Sequence, residues 1–171
     1  MLAYQRGDST AFEVVYGRHK NAVFAYLLRS GAQADSVEEI FQEAWTSIIK
    51  NIERYEPKAK FKTYLYQVAH NKMIDYWRRR KHEASDGNCA IELTASRDSD
   101  HEQKILTGQL MAAICQLPSE QRCALLLRHQ GFSQREICDI TGTGAETVKS
   151  RLRYAQQSLR TLFADTNEAS V

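Results

Sequence analysis

Apolar residues return at three- and four-residue spacing along nearly all of this chain, and little in it can interrupt a helix. Phe12, Val15, Tyr16, Val23, Tyr26 and Leu27 form one stripe. Val37, Ile40, Phe41, Ala44, Trp45, Ile48 and Ile52 form a second, and Phe61, Leu65, Val68, Ala69, Met73 and Trp77 a third. A period near 3.6 places each set on one helix face. The 171 residues include only 2 prolines and 8 glycines, too few turn formers for an all-β chain. The expected fold class is therefore all-α. No apolar run approaches the ~20 residues of a membrane span. Residues 1–10 lack the basic-then-apolar order of a secretory leader. The expectation is a cytoplasmic protein without membrane insertion.

Cap signals set the expected boundaries. A first helix covers 8–30, started by Asp8 or Ser9 and ended by Gly31. A second begins at Ser36, where Ser36 and Glu39 match a capping box, and runs to about residue 54. A third covers 61–81. The stretch 83–101 is acidic and rich in small polar residues, without a sustained period, and reads as a flexible linker. Helix four covers 102–117. Pro118 suits the first turn of helix five, which stops at Gly131. Ser133 and Glu136 form another capping box and open a short helix with Ile137 and Ile140 inward. The turn Thr141-Gly142-Thr143-Gly144 follows, then a last helix from 145 to about 163. Short helix, glycine turn, long helix is the helix-turn-helix pattern. The expected organisation is two small helical domains, 1–82 and 102–171, joined by the linker.

Charge is distributed unevenly. Residues 57–82 hold eight basic side chains against Asp75 alone, a local charge of +7, while the whole chain carries +2. In that segment Lys60, Lys62 and Arg78, Arg79 and Arg80 alternate with Phe61, Tyr64, Tyr66 and Trp77. Cations track phosphates, and exposed aromatic faces stack on unpaired bases, so the mixture suits single-stranded or opening DNA. A solvated charge run with aromatics in the core is the plainer alternative. Asp35, Glu38, Glu39, Gln42 and Glu43 make the second helix acidic on its polar side, a face for a basic protein partner or simply for water. The last helix presents Glu146, Lys149, Ser150, Arg151 and Arg153 opposite its apolar seam, as a recognition helix would.

Catalytic constellations are not found. There is no phosphate-binding loop, no H-E-x-x-H and no G-x-S-x-G. Cys89, Cys115, Cys123 and Cys138 never come as C-x-x-C, so neither a structural metal site nor any cofactor is expected, and reduced thiols are. His129 lies six residues from Cys123, which puts the two on different faces of one helix. A metal- or thiol-dependent enzyme is the distant rival.

Two long segments carry a resemblance. DSVEEIFQEAWTSIIKNIERYEP followed by FKTYLYQVAHNKMIDYWRRRK resembles region 2 of bacterial sigma factors, and LPSEQRCALLLRHQGFSQREICDITGTGAETVKSRLRYAQQSL resembles region 4. Their order and the short linker resemble the extracytoplasmic-function class. The resemblance implies that Asp35, Glu38, Glu39, Gln42 and Glu43 bind the clamp helices of the polymerase β′ subunit. It implies that Lys60, Phe61, Lys62, Tyr64, Tyr66, Asn71, Trp77, Arg78, Arg79 and Arg80 melt and read the −10 element. Ala145, Glu146, Thr147, Lys149, Ser150, Arg151 and Arg153 would meet the −35 element, with region 4 resting on the β flap. Core RNA polymerase and promoter DNA are the implied partners, and an anti-sigma factor is one the class admits. Gly144 stands where the class often has serine, and Tyr154, Gln156 and Gln157 where it often has arginine, which lowers phosphate attraction. Tyr64 stands where tryptophan is common. A stand-alone helix-turn-helix regulator is the rival reading. It would have no use for the basic-aromatic segment joined to the acidic face.

Overall fold

The computed structural model describes residues 1–83 and 101–168. The N-terminal half comprises α1 (Leu2–Gln5), α2 (Ser9–Arg29), α3 (Ala34–Lys50), a 3-10 turn (Ile52–Arg54) and α4 (Phe61–Glu83). The C-terminal half comprises α5 (His101–Gln116), α6 (Ser119–His129), α7 (Gln134–Thr141) and α8 (Ala145–Glu168). Every regular element among the described residues is a helix, as the periodicity predicts. The stretch 84–100, expected to be linker, lies outside the described residues.

Most helix starts follow the sequence signals, and two differ. Asp8 caps α2, its carboxylate accepting from the amides of Thr10 at 3.0 Å and Ala11 at 3.3 Å. The Ser133–Glu136 capping box forms in full. The Ser36–Glu39 box does not form, because α3 starts earlier. Gln33 is the extended cap residue, and the Ser36 amide already donates to the Gln33 carbonyl at 2.9 Å. Asp35 in that first turn favours the early start by meeting the positive helix end. Pro118 stands at the N-cap of α6 rather than inside its first turn. Neither α1 nor the break between α3 and the 3-10 turn is foreshadowed by the apolar stripes.

In the N-terminal half, α2, α3 and α4 bury Val23, Leu27, Val37, Ile40, Ile48, Leu65, Ala69 and Met73. Each large aliphatic side chain so buried contributes ~1.5–3 kcal/mol. Phe12, Tyr16, Phe41 and Trp45 close one end of this core, with Tyr16 and Trp45 rings 5.0 Å apart. In the C-terminal half Leu117, Leu127, Ile137, Ile140, Val148 and Ala155 hold α7 against α6 and α8. Gly142 ends α7 at φ 64°, a conformation in which a side chain would be strained.

The halves are packed together, with α4 against α3 on one side and α7 on another. Tyr66 is wholly buried at this junction, its ring 5.3 Å from Tyr26 and 4.8 Å from Phe132. Nearby, Arg122 of α6 donates to the Ser30 carbonyl at 3.4 Å, capping α2, and also to the carbonyls of Cys115 and Leu117. His70 is buried in α4 with its Nδ1 3.0 Å from the Tyr26 hydroxyl.

Burial, reinforced by the positive Arg151, pulls the pKa of His70 from 6.5 to about 4. The unfolded chain therefore binds this proton first. The native state keeps its full advantage above pH 6.5 and loses it as pH falls toward 4. His70→Asn, which retains a polar partner for Tyr26, is expected to flatten that loss. Urea unfolding of both proteins at pH 7 and pH 5 measures it, and parallel curves for parent and variant would contradict it.

Candidate nucleic-acid interface

The basic-aromatic segment folds into α4 and the loop before it, and its N-terminal end is already engaged. Lys60 Nζ lies 3.3 Å from the Glu136 carboxylate. Lys62 Nζ donates to the Gln130 carbonyl at 2.7 Å and sits 4.6 Å above the Phe132 ring. Gln67 donates to the Asp139 carbonyl at 2.9 Å. The Tyr66 hydroxyl donates to the Gln130 side chain at 3.3 Å. Tyr66, expected at the −10 strand, thus does not reach the surface; burial also raises its pKa to about 12. Its position on the face shared by α2 and α7 decides this, and a single-helix stripe does not reveal it.

The remaining −10 candidates are spread along α4. Phe61, Tyr64 and Trp77 are half-buried and Asn71 is exposed. Arg78 pairs with Asp75 at 3.2 Å, Arg79 lies 3.9 Å from Glu43, and Arg80 donates to the Tyr76 hydroxyl at 3.0 Å. Tyr76 is buried like Tyr66, so the five aromatics of α4 divide into two in the core and three half-buried.

A cleft of about 770 Å³ opens beside Tyr64. Tyr55, Arg54, Glu56 and Lys58 from the 51–60 loop and Arg135 and Asp139 from α7 line it, with Lys58 paired to Glu56 at 2.9 Å. The Tyr55 and Tyr64 rings are 5.3 Å apart. An aromatic wall thus stands beside Arg54 and Arg135, with Glu56 and Asp139 in the same lining. Sequence reading missed Tyr55, Arg54 and Arg135. The signal for the first two was an aromatic-basic pair just before Pro57, outside any helical stripe.

The −35 candidates sit at the start of α8. Ala145, Glu146, Thr147, Lys149 and Arg153 are exposed and Ser150 is half-exposed. Val148 and Ala155 anchor the opposite side. Arg151 is not free. It pairs with Glu120 at 2.5 Å and reaches Thr143 at 3.4 Å, tying α8 to α6. On α3, Asp35, Glu38, Glu39 and Gln42 are exposed, whereas Glu43 is half-buried and pairs with Lys72 at 3.4 Å.

Among the described residues no three His, Cys, Asp or Glu side chains gather as metal ligands. Cys123 is buried, which raises its thiol to about pKa 11, while His129 is exposed. A thiol so protonated is a poor nucleophile.

Comparison with known proteins bears on both halves. The model for sigma-70 region 2 matches residues 15–83, and that for sigma-70 region 4 matches 107–158. The chain is 28% identical over 169 residues to RNA polymerase sigma factor CarQ of Myxococcus xanthus, covering 96% of each. It is 29% identical over 168 residues to the ECF RNA polymerase sigma-E factor of Haemophilus influenzae, covering 91% of this chain and 88% of that one. Its fold is similar to sigma factor RpoE of Bartonella quintana, solved with the anti-sigma factor NepR. That similarity has a TM-score of 0.74 at 21% identity, over 90% of this chain and 97% of the other. It is also similar to CnrH, solved with the cytosolic domain of CnrY, with a TM-score of 0.70 at 19% identity, covering 94% and 92%.

The junction across α4 is testable by charge. Gln130 is the C-cap of α6, where a cation meets the negative helix end favourably, so Gln130→Lys should leave α6 intact. The new ammonium would face Lys62, whose Nζ lies 2.7 Å from the carbonyl of the same residue. The expected outcome is separation of the halves, read as a larger radius of gyration in small-angle X-ray scattering with unchanged helical circular dichroism. An unchanged radius would show that these contacts do not hold the halves together.

Proposed function

We propose that this chain, which belongs to the sigma-70 family and is an RNA polymerase sigma factor of the extracytoplasmic-function type, gives core polymerase its promoter choice and its strand-opening surface while doing no chemistry itself. The observation that carries the reading is the presence of both sigma-70 regions in one chain. A stand-alone regulator needs only the second. Residues 1–82 form the polymerase-binding and −10 domain, and 102–171 the −35 domain.

The residues divide the work by charge. Asp35, Glu38, Glu39 and Gln42 face a basic clamp on the β′ subunit, with Glu43 shared between that contact and α4. The C-terminal half rests on the β flap. Lys149 and Arg153 reach −35 phosphates or base edges, while Arg151 first holds α8 on α6. Trp77 and the Arg78–Arg80 run hold the opened −10 strand, and the Tyr55–Tyr64 wall, which belongs to the N-terminal half and stays when α7 leaves, receives an unstacked base. Lys60, Lys62 and Tyr66 join them only when α7 moves off α4, so promoter entry requires the halves to part. RpoE of Bartonella quintana is bound to the anti-sigma factor NepR, and a partner of that kind is proposed for this chain too. Among the described residues no helix is long and apolar enough to cross a membrane, in keeping with action on DNA in the cytoplasm.

Run-off transcription with core polymerase across a genomic fragment library tests the function directly. Discrete transcripts that depend on this chain are expected, and none at all would overturn the reading. On a promoter so recovered, Glu38→Lys with Glu39→Lys should sharply weaken binding to core, since like charges would then face each other. Undiminished core affinity in a titration would remove α3 from that contact. Neutralising Arg78, Arg79 and Arg80 together should impair permanganate reactivity at −10 more than core binding, with partial rescue on a template already mismatched there. Equal loss on both templates would mean that these arginines only attract duplex.

A further inference from the structure

We propose that Gln5 is a positioning residue for capture of the unpaired −10 strand: it fixes the 51–60 loop so that Tyr55 packs on Tyr64 as one wall of the cleft. The assignment rests on the promoter-opening reading above and extends it to a residue outside both sigma-70 segments.

The geometry is specific. The Gln5 side-chain amide donates to three carbonyls of the 3-10 turn and its exit, Ile52 at 2.9 Å, Glu53 at 3.0 Å and Tyr55 at 3.2 Å. A helical end leaves its last carbonyls short of amides, and of these three Ile52 receives that of Tyr55 at 3.1 Å. The loop supplies few internal ties: Arg54 to Asn51, Tyr55 to Ile52, and Lys58 to Glu56. Pro57 has no amide to offer. A single side chain, 47 or more residues away in sequence, therefore gathers the turn.

The helix that carries Gln5 is built to hold it there. α1 is four residues long and contributes no fully buried side chain. Its backbone closes on itself and on the start of α2, through Gln5 to Met1, Gly7 to Tyr4 and Asp8 to Ala3. Tyr4 leans on Phe12, rings 5.1 Å apart, which ties α1 to the aromatic end of the core. On the far side of the turn, Tyr55 meets Tyr64 at 5.3 Å and Phe61 at 6.2 Å. Arg54 flanks it at the cleft, beside the Lys58–Glu56 pair at 2.9 Å. Releasing the carbonyls would free the turn and with it the aromatic wall. A base stacks well only on a wall that is already in place.

Two substitutions separate donation from shape. Gln5→Glu keeps the size and removes both donor hydrogens, setting a carboxylate against three carbonyls. Gln5→Lys supplies an ammonium with three donors. With holoenzyme on a recovered promoter, Gln5→Glu should shorten the open-complex lifetime about tenfold, the loss expected of a hydrogen-bonded contact. The same fall should appear on a template premelted at −10, because strand capture is what fails. Core affinity and −35 duplex binding should stay at parent values, and Gln5→Lys should restore the lifetime. A parent-like lifetime for Gln5→Glu would overturn the proposal, as would a matching fall in core affinity, which would mark a merely structural role. A parent that opens no promoter would instead refute the promoter-opening reading, and this assignment with it.

Discussion

Burial of α4 from two directions is the constraint on which the rest of the molecule depends. Leu65, Ala69 and Met73 turn into the α2–α3 core, while Tyr66 is pressed between Tyr26 and Phe132. The helix keeps too little free circumference to display all its aromatics, so Tyr64 and Trp77 remain near the surface while Tyr66 and Tyr76 do not. Its cations are sorted the same way. Those at the N-terminal end meet acceptors on the C-terminal half, and those at the C-terminal end meet Asp75, Glu43 and the Tyr76 hydroxyl.

The arrangement that places α7 on α4 is mostly polar at its edge and apolar at its centre. Phe132 and Tyr66 supply the centre, and Lys60, Lys62, Gln67 and Gln130 the edge. Arg122 adds one donor across to Ser30 while keeping carbonyls of its own half, so it is not stranded when the halves part.

Much of this was legible before any coordinates. The stripes on α2, α3, α4 and α8 located the core, and the Ser133–Glu136 box located α7, because both signals act within one or two turns. What the sequence did not disclose depends on distant partners. Ser36 looked like a cap, yet Gln33 took that place. Arg151 looked like a free DNA contact, yet Glu120, 31 residues earlier, holds it. Tyr55 and Gln5 belong to no stripe, and their meaning appears only where the 3-10 turn brings them together.

The pairing of Lys60 with Glu136 and of Lys62 with the Gln130 carbonyl has a consequence for ionic strength. A protein whose cations are free when unbound shows a salt dependence that counts the phosphates it neutralises, through the counterions the DNA releases. Here an internal carboxylate already neutralises Lys60, while Lys62 rests on a neutral carbonyl. On the proposed reading, Lys60 would exchange the Glu136 carboxylate for a phosphate, and the liberated carboxylate would gather a cation from solution as the DNA sheds its own. The slope of log affinity against log salt would then be shallower than the number of phosphate contacts in the complex.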